Sequence, residues 1–186
     1  LTHGVVDGIQ QLQKREGLKP EDVDRMVALV PPLAHRLTGR PDIPSPEPNY
    51  AKLCIPFVAA TALLEGTVDV RHFKGDWLRN PAVHEIAARV EPIEDNNPNT
   101  NAVAPQRLEV YLRDGRMLAV DMPQIFGHPD NPLSYEQNVE KFKNAWASAA
   151  RPLSAAQADR MIDAVDDLES VDDVRSLIDL TMAGAE

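Results

Sequence analysis

Val5, Val6, Ile9 and Leu12 fall on one side of a 3.6-residue period, with polar residues between them. That spacing predicts an amphipathic helix over residues 3–16, closed by Gly17 as a C-cap. The period then changes. Residues 24–30 are almost continuously apolar from Met26 to Val30, and predict a buried strand stopped by Pro31 and Pro32. "LAHRLTGRPDIPSPEPN" predicts a long proline-rich loop, longer than a simple connector requires. "NYAKLCIPFVAATALLEG" predicts one central helix, capped by Asn49, bent at Pro56 and ended by Gly66.

The second half alternates shorter signals. "NPAVHEIAARV" predicts a short helix with Asn80 as cap and Pro81 in its first turn. "VEPIED" is compatible with a strand, and "NNPNTNAVAP" is a polar loop. In "QRLEVYLRDGRMLAVDM", Leu108, Val110 and Leu112 alternate, and Asp114-Gly115 supplies a hairpin turn into Met117–Val120. Helices are predicted over about 134–149, 154–168 and 171–182. "SYEQ" and "SAAQ" fit capping boxes, and Asp172 and Asp173 fall in the first turn of the last helix. The fold class expected is α+β: an antiparallel sheet covered by helices as a two-layer sandwich over residues 1–130. Residues 131–186 are expected to be C-terminal helices belonging to an all-helical domain.

Composition narrows the partners. The 186 residues carry a formal net charge of -10, with 29 acidic and 19 basic side chains. Such a balance argues against nucleic acid as a partner, because phosphate binding needs a basic face. No apolar run is long enough to cross a membrane. The single cysteine, Cys54, excludes an internal disulfide and fits a reducing, cytoplasmic setting. No glycine-rich phosphate loop and no metal-ligand spacing are present, so no cofactor and no metal are expected. The chain has no initiating Met and opens inside a helix, so it is expected to be part of a longer protein.

Four segments, in order, carry a resemblance. "AKLCIPFVAATALLEGTV" resembles the pattern A-x-F-S-[IL]-P-Y-x-x-A-x-A-L-L-x-G-x-V of the MmgE/PrpD family, which includes 2-methylcitrate dehydratase, cis-aconitate decarboxylase and an iminodisuccinate epimerase. "THGVVDG" resembles the family's helix start H-x-x-[IV]-D-A, and "LRDGR" its hairpin L-x-D-G-R. "GHPDNPLSYEQNVEKF" resembles its segment G-x-P-x-N-P-L-S-x-E-x-x-x-x-K-F. The resemblance implies a two-domain enzyme, with an α+β domain inserted into a helical domain built from both chain ends. This chain would be the C-terminal half. The substrate would be a small di- or tricarboxylate, processed by cofactor-free proton abstraction. The family's catalytic Lys and His precede the segment matching "THGVVDG", so the chain alone is expected to be inactive. Its needed partner is the missing N-terminal half or a separate chain.

Several side chains are candidates for lining the substrate cleft. His3 and Asp7 stand at i, i+4, so Asp7 orients a cleft-lining His3, or the pair only packs and caps. His35 heads the proline-rich loop, where the family has a polar aromatic residue that reaches the substrate. Arg36 and Arg40 suit two-pronged carboxylate binding or are plain surface arginines, as is true of Lys52 for single-point contact. His3, His35 and Arg40 are the substrate-binding candidates retained. Cys54, where the family usually has Ser, is read as a small buried residue; His72, His84 and His128 are read as structural or solvated. The apolar face of Leu168, Val174, Leu177, Ile178 and Leu180 needs covering, so a homodimer or larger assembly is expected. A different class of reading makes the chain a non-catalytic partner subunit or an inert fragment, which would bind no carboxylate.

Overall fold

A computed structural model describes residues 1–151 and 153–182. The chain divides into two compact units, Leu1–Pro132 and Leu133–Glu186. The first holds α1 (His3–Glu16), β1 (Val23–Val30), α2 (Pro32–Thr38), α3 (Pro48–Lys52), α4 (Ile55–Glu65), α5 (Pro81–Ala87), β2 (Val90–Glu94), β3 (Gln106–Leu112) and β4 (Met117–Met122). The fold is α+β, as expected. The sheet, however, is mixed, in the order β2-β1-β3-β4. β3 pairs antiparallel with both β1 and β4, whereas β1 and β2 run parallel. The reason is the connection. Helices α2 to α5 lie between β1 and β2, and such a crossover returns the chain to the starting end of the sheet.

One face of the sheet is covered. Along β3, Gln106, Leu108, Val110 and Leu112 are buried, while Arg107, Glu109 and Tyr111 between them are half-exposed. The buried row meets Val5, Ile9 and Leu12 of α1 and the nearly all-apolar α4 in one core. Gly8 allows this closeness: a Cβ there would lie 3.1 Å from the Met122 sulfur and 3.2 Å from Leu108. The opposite face satisfies itself with charge. Arg107 bridges Glu109 and Asp121, and Tyr111 donates to Glu109.

Two expectations change between residues 31 and 66. The proline-rich stretch contains α2 and α3, because Pro32 and Pro48 each sit at a first helical turn, where the missing N–H costs nothing. The single bent helix is instead two. The backbone leaves the helical region at Cys54 (φ -111°, ψ 103°), which caps α4, and Pro56 belongs to that helix's first turn. Gly66, at φ 71°, ends α4 as predicted, and Gly17, at φ 66°, ends α1.

The second unit holds α6 (Tyr135–Ala147), α7 (Ala155–Asp166) and α8 (Arg175–Asp179). Both capping boxes form: Ser134 with Gln137, and Ser154 with Gln157. The final helix is shorter than predicted. A 3-10 turn occupies Leu168–Ser170, and Asp173 precedes α8, its carboxylate accepting from the Arg175 N–H at 3.0 Å.

Candidate functional site

Parallel pairing brings the carboxyl ends of β1 and β2 together, with Val30 opposite Glu94. In sheets of this kind such ends, and the loops leaving them, are where ligands are commonly held. Pro31 and Pro32 turn the chain from β1 directly into α2. His35 therefore stands over this end, its Nδ1 3.5 Å from a Glu94 carboxylate oxygen. The ring is about one-third exposed and rests on Gly39. A Cβ at residue 39 would lie 2.8 Å from the ring's Cδ2 and 3.0 Å from its Nε2, so only glycine leaves the ring this seat.

The start of α1 reaches the same end of the sheet. Gly4 abuts Gln106, the first residue of β3, which begins beside the end of β1. Gln106 is buried and donates to the Val103 carbonyl at 2.9 Å. His3 is exposed in the first turn of α1, at this end of the sheet. A histidine beside a carboxylate, open to solvent, can bind an acid or relay a proton at near-neutral pH.

Arg40 follows Gly39 into an adjoining cleft. Helix α2 runs back from the rim, and Arg40 lines a cleft of about 660 Å³ beside the first half of β2, together with Arg25 and Arg89. Its guanidinium donates to the Leu37 carbonyl at 2.9 Å and stacks 4.9 Å from the Tyr50 ring centre. Of the sequence candidates, His35 stands at the end of β1 and β2, His3 opens α1, whose start reaches that end of the sheet, and Arg40 lines the adjoining cleft. Arg36 is exposed on α2, and Lys52 lies 5.9 Å from the Phe73 ring centre.

Cys54 is buried, with its thiol 3.5 Å from the Arg40 carbonyl, and burial pushes its pKa up to about 11. It is therefore no nucleophile near neutrality. His72 is buried and accepts from the Asp69 N–H at 2.9 Å, a structural cap. His128 shapes a turn, accepting from the Asp130 N–H at 3.1 Å.

His84 forms a pair that sequence reasoning did not find. Its Nε2 lies 3.0 Å from the Leu78 carbonyl, and its Nδ1 lies 2.7 Å from Asp42 Oδ2. A carbonyl only accepts, so Nε2 carries a proton. The short Nδ1–Oδ2 contact then needs a second proton, giving either an imidazolium–carboxylate pair or a protonated acid donating to the ring. The other Asp42 oxygen is buried with no hydrogen-bond partner among the described residues. Forty-two positions separate the two residues, and no local pattern joins them. Glu94 was likewise missed, because its role depends on strand direction. Among the described residues no group of three His, Cys, Asp or Glu is placed to hold a metal ion. No described helix is long and apolar enough to cross a membrane.

The profile of the MmgE/PrpD C-terminal domain matches residues 1–169. The chain is 30% identical over 187 aligned residues to cis-aconitate decarboxylase of Homo sapiens, an alignment covering 96% of this chain and 37% of that protein. It is 28% identical over 180 residues to cis-aconitate decarboxylase of Mus musculus, covering 92% of this chain and 35% of that protein. The chain thus spans little more than a third of the length of these relatives. By the extent of that match and by the sheet and helices that carry it, the chain belongs to the MmgE/PrpD family, as its C-terminal domain.

Proposed function

We propose that this chain is the C-terminal portion of an MmgE/PrpD-type lyase or isomerase acting on a small di- or tricarboxylate by proton abstraction without a cofactor. His35 beside Glu94, at the joined ends of β1 and β2, is the observation that carries the reading. In it His3 and His35 line one wall of the cleft and meet the substrate's polar groups. The principal base belongs to a further segment or chain, in keeping with the share of the relatives' length that this chain spans. Alone, the 186 residues bind the acid weakly and do not turn it over.

Thermal unfolding with tricarballylate, an unreactive tricarboxylate, tests this. A ligand of the native state stabilises by RT ln(1 + [L]/Kd), about 2.7 kcal/mol at a hundredfold excess over Kd. The chain should melt higher with the acid, and His35→Gln should lose most of that gain. An unchanged melting temperature favours the alternative of a non-catalytic partner or an inert fragment.

The second unit supports a proposal about assembly. Val165, Leu168, Val174, Ile178 and Met182 are all about half exposed or more. A cluster of this kind is ordinarily covered. The chain is proposed to self-associate as a homodimer at tens of micromolar, and a strictly monomeric sedimentation profile would count against it.

A further inference from the structure

The cleft beside the free edge of β2 has the volume of a small-molecule site, and its cations are unusually available. Most arginines of this acidic chain hold a carboxylate: Arg71 with Asp69, Arg79 with Asp76, Arg107 with Asp121, Arg116 with Asp114 and Arg175 with Asp173. Within the cleft, Arg89 is also engaged, by Glu85 and by the Val23 carbonyl. Arg25 and Arg40 differ. Neither forms a salt bridge among the described residues, and each lies with its guanidinium against a tyrosine, with one Arg40 N–H given to the Leu37 carbonyl. Arg25 is 3.6 Å from the Tyr111 ring centre, and Arg40 is 4.9 Å from that of Tyr50. Stacking uses the face of a guanidinium and leaves in-plane N–H groups free to clasp an oxyanion. Glu109, whose carboxylate feels the Arg25 charge, is already held by Arg107 and Tyr111.

The wall between them adds a donor. The Met26 N–H bonds to the Arg89 carbonyl and the Asp95 N–H to the Val30 carbonyl, so odd-numbered residues of β2 face β1. Val90 and Pro92 therefore turn their main chain outward, along the cleft. Val90 offers an N–H. Pro92 has none, which disfavours a further strand pairing here. Of the acidic residues lining the cleft, Asp42 is taken by His84, leaving Glu91.

We propose that this cleft, which adjoins the rim at Gly39, is a second ligand site, for a small organic dianion bridging Arg25 and Arg40. One oxyanion group lies in the Arg40 fork, the other reaches Arg25, and the Val90 N–H donates between them. Two guanidinium groups on one cleft lining suit a ligand with two oxyanion groups better than one with a single oxyanion such as inorganic phosphate. The inference is independent of the catalytic reading, because it needs no turnover and does not use His3 or His35.

The test is an NMR titration of the whole chain with glutarate at constant ionic strength, with inorganic phosphate as a second arm. Saturable shifts are expected at the Val90 amide and at the Arg25 and Arg40 side-chain Nε–H groups. Arg25→Gln and Arg40→Gln should each weaken binding by about tenfold or more, as expected for losing a charge-assisted hydrogen bond. Arg15→Gln, an equal charge change at a residue outside the cleft lining, should leave affinity unchanged. Arg40→Lys keeps the charge and serves if the glutamine variant misfolds; it too should weaken binding, through loss of the fork. The proposal is overturned if glutarate gives no saturable shift, if phosphate binds as tightly at the same groups, or if Arg15→Gln weakens binding as much as Arg40→Gln.

Discussion

Cys54 and the Asp42–His84 pair show how burial decides chemistry at single residues. Because the folded thiol titrates near 11 rather than the ordinary 9, the folded state binds more protons than the unfolded state between those values. Stability therefore falls as pH rises through that window, by at most about 3 kcal/mol once both limits are passed. Denaturant melts at pH 8 and pH 10.5 should show a drop that Cys54→Ala lessens; an equal drop in both proteins would contradict the burial account. The thiol should also alkylate slowly in the folded chain at pH 8 and quickly in denaturant. The Asp42–His84 pair is mostly buried, so Asp42→Ala leaves His84 Nδ1 without its partner and should cost about 3 kcal/mol in a urea melt. A cost below about 0.5 kcal/mol, the range of surface changes, would show that the pair is not a structural tie. Gly39→Ala should displace the His35 ring, read as a changed ring chemical shift with the Arg15 amide unmoved.

At the scale of elements, the legible parts were those with local chemistry. Alternation and Asp114-Gly115 announced the β3–β4 hairpin; Asn80, Ser134 and Ser154 announced helix starts, and each side chain makes its capping bond. Ser154→Ala should loosen α7 by about 1 kcal/mol, seen as faster amide exchange in its first turn; unchanged exchange there would deny the cap its role. Proline was the deceptive signal. Read as a breaker, it hid α2, although the first turn of a helix is where proline is tolerated. Strand direction was illegible for a different reason. The residues of β1 and β2 read alike for parallel and antiparallel pairing, and the crossover through α2–α5 decides it. The rim inherits this: His35 was visible as the head of a loop, but Glu94 joins it only because the two strands end together.

In the whole molecule, a helix-backed sheet carries a histidine-bearing rim and an adjoining arginine-lined cleft, on a chain that spans about a third of its relatives' length. The sequence offered His3, His35 and Arg40 as one set of candidates; the fold puts His35 beside Glu94 and puts Arg40 in the lining of a cleft along β2. The most direct test of the central claim follows cis-aconitate by proton NMR in heavy water with the purified chain. The account predicts saturable shifts of the His35 ring signals while the acid is neither consumed nor exchanged. Decarboxylation, or deuterium entering the acid, would place the proton-moving base inside these 186 residues and contradict it.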